Sequence, residues 1–85
     1  FVDIKTELGV VYRDMKDYSN ALVELESAKK LHKSYPAPRI HLGLTYYAMG
    51  QYDRAKSEWL EVLDINPDNQ LANMYMSLVT NPPCE

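Results

Sequence analysis

Apolar residues recur three and four positions apart through most of the chain, the spacing that lines one face of a helix. Between Val2 and Met15 the row is Ile4, Leu8, Val11, Tyr12 and Met15, with Val10 lying off it. After a short break at Met15-Lys16-Asp17 it resumes as Ala21, Leu22, Leu25, Ala28 and Leu31, which predicts a second helix from Tyr18 to about His32 capped by Asp17. Pro36 and Pro38 suit only a first helical turn or an extended segment, so a third helix begins near Pro36 and runs to about Met49. A fourth runs from about Tyr52 to Ile65 and is stopped at Asn66-Pro67, because a proline disfavours helix at the residue before it. Asp68 or Asn69 caps a fifth, whose stripe is Leu71, Met74, Tyr75 and Leu78; Asn81-Pro82-Pro83 ends it and leaves Cys84-Glu85 as a frayed tail. The pattern is all-α.

The same row appears twice. Leu42-Gly43-x-x-Tyr46, followed by Gly50, Tyr52, Ala55, Trp59 and Pro67, is matched 34 residues earlier by Leu8-Gly9-x-x-Tyr12, Tyr18, Ala21 and Leu25. A small residue such as Gly43 can receive a bulky side chain from the next helix, where Ala55 and Trp59, four apart, share one face. Each copy therefore reads as two helices locked small against large. These residues and this period resemble the tetratricopeptide repeat (TPR), in wording close to bacterial members. The resemblance divides the chain into repeat 1 at 2–35, repeat 2 at 36–69, a partial repeat or capping helix at 70–80 and a tail at 81–85. It implies a right-handed superhelical solenoid of two helix-turn-helix repeats plus a C-terminal capping helix. Asn73 and Ser77 stand where repeat 2 has Arg39 and Gly43, a looseness that suits a terminal cap. Lys16 departs from the glycine that the second copy carries at Gly50, at a cost of about 1 kcal/mol if the backbone there is left-handed. Lys33 replaces the proline that closes the second copy as Pro67.

Size and charge narrow the function. Eighty-five residues make one domain, and a chain of this size buries only about 60–65% of its unfolded surface. A formal charge of −3 and a pI near 5.3 argue against a nucleic-acid surface, and the basic run Lys29-Lys30-x-x-Lys33 falls near a helix C-terminus, where the dipole favours cations. No apolar run is long enough to span a membrane. The lone cysteine, Cys84, has no partner within the chain, so no oxidising compartment is implied; the cytoplasm is favoured over the periplasm. A chain that opens Phe1-Val2 at the start of a repeat reads as part of something longer or as a processed product.

No catalytic, cofactor or metal motif is present. His32 reads as a solvated residue at a helix end, and His41 has no second His or Cys near it to make a metal set. Cys84 lacks a base at a recognisable spacing. Glu58 and Glu61 read as solvated carboxylates on an outward face, without a reason for a shifted pKa. Tyr12, Tyr18, Tyr46, Tyr52 and Trp59 occupy positions that pack helix on helix and read as core, whereas Tyr47, about 100° round from Tyr46, points elsewhere.

The resemblance further implies that the first helix of each pair lines a concave groove. Its candidate partner-binding residues are Val10 and Arg13 from the first copy, Ile40, His41, Leu44 and Tyr47 from the second, and Met74, Tyr75 and Leu78 from the third. The groove would pass from a polar, net-acidic start that includes Asp3, Glu7 and Asp14 into an apolar patch, and such patches usually mark interfaces. Some TPR domains clamp the acidic tail of heat-shock chaperones with Lys, Asn and Arg; the matching slots here carry Thr6, Val10, His41, Leu71 and Tyr75, which cannot clamp a carboxylate in that way. The expected function is a non-catalytic scaffold that binds a protein or peptide with apolar anchors, with homo-oligomerisation as the alternative.

Overall fold

The structure is a computed structural model that describes residues 2–80, with side chains from Ile4 to Val79. It contains α1 (Val2–Asp14), α2 (Tyr18–Leu31), α3 (Pro36–Ala48), α4 (Tyr52–Ile65) and α5 (Gln70–Thr80), with no strand among the described residues. The expected stop at Asn81-Pro82-Pro83, the tail with Cys84, and the side chain of Asp3 lie outside the described residues.

Local chemistry sets the boundaries. Asp17 caps α2 by accepting from the backbone N–H of Asn20, 3.4 Å away, and Asn69 caps α5 by accepting from the N–H of Ala72 at 2.9 Å. Pro36 occupies the first turn of α3, where its missing N–H costs nothing. The two intra-repeat turns are copies of one motif. Asp17 and Gln51 each donate a backbone N–H to the carbonyl five residues back, Tyr12 and Tyr46, at 2.8 and 2.9 Å. That closure needs a left-handed residue just past the helix, supplied by Gly50 at φ 80° in one copy and by Lys16 at φ 65° in the other. The departure noted at Lys16 is therefore a real backbone strain.

Consecutive helices pack in chain order, α1 on α2, α2 on α3, α3 on α4 and α4 on α5, with α1 also touching α3. Leu25, Leu42, Tyr46, Ala55 and Trp59 form the main core, and Ile40, Val62 and Ala72 continue it toward α5. Leu25 fills the space beside Gly9 as Trp59 fills that beside Gly43, so both copies use the same small-against-large lock.

Several sequence expectations change in three dimensions. The row Ile4, Leu8, Val11 and Met15 is exposed, because α1 meets α2 and α3 through another face on which Thr6 and Gly9 are buried. Tyr12 and Tyr18 are half-buried, and Tyr52 and Leu31 are exposed; of the five aromatics expected in the core, Tyr46 and Trp59 are fully there. Glu58, read as a solvated carboxylate, is buried at 8% exposure.

Candidate functional site

Eight of the nine residues singled out by sequence fall into three environments, and the ninth, Ile40, lies in the core. The first is a polar corner between α1 and α3. Arg13 donates from Nη1 to Nδ1 of His41 at 3.2 Å, and Val10 lies half-buried one helical turn from Arg13. Because a guanidinium has no acceptor, Nδ1 must be the unprotonated nitrogen, and the neutral ring carries its proton on Nε2. Burial holds the His41 pKa below its ordinary 6.5; the Arg13 charge pushes the same way and Asp14 pulls weakly against both.

The second environment is aromatic. Tyr75 of α5 stacks on Trp59 with ring centroids 5.4 Å apart, and Tyr47 of α3 lies 6.3 Å from Trp59 and 5.0 Å from Tyr52. Tyr47 thus leans on α4 and flanks the core, where the sequence placed it away from the core face. Leu44 packs on the same clusters.

The third environment is the outer side of α5, where Met74 and Leu78 stand open beside exposed Leu71. Ile40, placed by sequence among these surface residues, is 5% exposed and packs on Val62 and Ala72 in the core. What remains open of the nine is Met74 and Leu78, while Leu44 and Tyr75 are half-buried against the core.

Sequence reasoning missed the polar contacts between helices. Lys29 of α2 reaches Glu58 of α4 at 3.3 Å and lies 3.7 Å from Glu26. At Glu58 burial outweighs the attraction of Lys29 and raises the carboxyl pKa; at Lys29 burial opposes the charge, but the carboxylates, Glu58 first, outweigh it and raise that pKa too. The sequence carries only a partial trace of it, a carboxylate at the same repeat position in both copies, Glu24 and Glu58, with nothing that names Lys29 as the partner. The indole N–H of Trp59, donating to the Ile40 carbonyl at 3.2 Å, left no such trace in the sequence.

Among the described residues no helix is long and apolar enough to cross a membrane, and no three of His, Cys, Asp and Glu stand together as a metal set. A family model described as tetratricopeptide repeat matches residues 12–77. No curated protein matches the chain.

Proposed function

The chain belongs to the tetratricopeptide repeat family, and from that premise we propose that it is a non-catalytic scaffold whose α1, α3 and α5 face binds a peptide or helix through apolar anchors. TPR repeats generally mediate protein–protein interaction. The observation that supports the finer reading is the row of exposed Met74 and Leu78 with half-buried Leu44 and Tyr75, apolar residues that lead from the core onto α5. Arg13 and His41 give the same face a polar end, where a ligand's backbone or carboxylate finds donors.

The test is selection of a displayed random-peptide library against the chain. Enriched peptides are expected to carry apolar residues at regular spacing, and Leu78→Asp is expected to weaken them by about thirtyfold, the roughly 2 kcal/mol of one central anchor, with the melting temperature nearly unchanged. Failure to enrich any peptide, or enrichment indifferent to Leu78→Asp, removes the reading. Self-association through this row is the second reading, since a self-complementary apolar helix face suits a two-fold pair. Sedimentation separates the two: a dimer that Leu78→Asp turns into monomer favours self-association.

A further inference from the structure

Where the start of α3 meets the end of α4, beside the α2–α3 turn, the helices leave a cavity of about 280 Å³. Pro36, Val62 and Ile65 form its apolar side, and Ser34, Arg39 and Asn66 its polar side. Val62 and the Arg39 side chain are almost wholly enclosed, whereas Ile65, Ser34 and Asn66 are open to solvent, so the cavity has both a floor and a mouth. Sites that hold drug-sized ligands start at about 300 Å³, so this one suits a single ring or side chain. Repetition does not require it. One repeat earlier the residues matching Arg39, Val62 and Ile65 are Lys5, Ala28 and Leu31, and Lys5 turns instead to Glu24 at 3.7 Å.

The polar side is made of donors. Arg39 gives its Nε–H to Glu61 at 3.0 Å and an Nη1–H to the Lys33 carbonyl, which leaves Nη2 without a partner among the described residues. Asn66 accepts the Asp68 N–H on Oδ1 at 3.3 Å, so its other terminal atom is the Nδ2 donor, unpartnered in the same sense. The Ser34 hydroxyl, 3.5 Å from His32 Nδ1, is free to turn. Glu61 answers the Arg39 charge without lining the cavity. An ammonium placed here would find donors in place of acceptors, and a carboxylate would compete with Glu61 for the guanidinium; an uncharged carbonyl meets donors and displaces nothing. We propose that this cavity binds an uncharged, carbonyl-bearing group with an aromatic or branched apolar body the size of one side chain, as in a small aryl amide or an apolar residue of a partner peptide. The site shares no residue with the row proposed above and does not depend on it.

Three benzene derivatives test it, each titrated into the whole chain and followed by two-dimensional amide NMR: dimethylbenzamide, which offers a carbonyl and no donor, benzylammonium, and benzoate. Dimethylbenzamide is expected to shift the signals of Ser34, Arg39 and Asn66 saturably, with the two charged probes weaker by about tenfold or more. Ile65→Ala, at an exposed site, is expected to weaken dimethylbenzamide by about tenfold, and Ser34→Phe, which fills the mouth from the turn, to abolish its shifts. Phenylalanine blocked at both ends separates the sources: binding tighter than that of dimethylbenzamide assigns the site to a peptide residue, and weaker binding assigns it to a small molecule. Absence of saturable shifts at these residues in the wild type overturns the proposal. So does equal binding of either charged probe, or binding that neither variant alters.

Discussion

Trp59 lies directly over the backbone of Gly43, and its indole N–H donates to the carbonyl of Ile40 at 3.2 Å. One oversized side chain and one missing side chain therefore set how α3 and α4 meet. A methyl group on Gly43 would stand inside the indole, so Gly43→Ala is expected to cost about 1–3 kcal/mol and Trp59→Ala about 3–5. Gly50→Ala costs about 1–2 for a different reason: the space is open but φ is 80°. Urea unfolding of the three variants checks this, and a silent Gly43→Ala would remove the lock from the account.

Lys16 supplies the opposite experiment. Its left-handed backbone closes the same turn that Gly50 closes, so Lys16→Gly relieves strain in the folded chain while loosening the unfolded one. The net expectation is a gain of up to about 1 kcal/mol, read as a rise of roughly 4–8 °C in melting temperature for a domain of this size. A fall would mean that the lysine side chain contributes something its exposure does not suggest.

The Lys29–Glu58 pair ties α2 to α4. Lys29→Met leaves Glu58 buried without its cation and is expected to cost about 1–3 kcal/mol, whereas adding Glu58→Gln recovers part of the loss, a non-additivity that a double-mutant cycle measures. The pH dependence has a definite sign. With its folded pKa above the ordinary 4.5, Glu58 takes up a proton in the folded chain before it does in the unfolded chain, so the wild type gains on Glu58→Gln as pH falls toward and through the carboxylate range.

His41 titrates in the opposite sense. Its folded pKa is depressed, so stability is full above 6.5, the unfolded value, and is lost as pH falls from there through the folded value. Protonation also turns the acceptor at Nδ1 into a donor facing Arg13. Thermal melts of the wild type and of His41→Gln between pH 8 and pH 5 are expected to diverge, with the variant flatter; parallel curves would show that the Arg13 contact does not hold the neutral ring.

Tyr47 and Met74 divide structure from surface. Tyr47→Ser removes a ring packed on Trp59 and Tyr52, so it is expected to lower the melting temperature, while Met74→Ser at an exposed site leaves it nearly unchanged. Differential scanning fluorimetry of the two is sufficient, and equal effects would contradict the placement of Tyr47 against α4.

The five helices, the Asp17 cap and the Gly43–Trp59 lock were readable along the chain, and the α5 cap was narrowed to Asp68 or Asn69, because each rests on residues a turn or a repeat apart whose spacing is itself the signal. The strained Lys16 was readable for the same reason, by comparison with Gly50. Which apolar face finds a neighbour was not. Leu8 and Leu42 hold the same repeat position with the same neighbours in sequence, yet α2 covers only Leu42, and Ile40 passes from surface to core because Val62 and Ala72 close over it. The pairing of Lys29 with Glu58, and of Arg13 with His41, joins residues 29 and 28 positions apart on different helices. Periodicity describes one helix at a time, whereas burial, ion pairing and the pKa of a histidine depend on what a second helix brings, and that is settled when the helices pack.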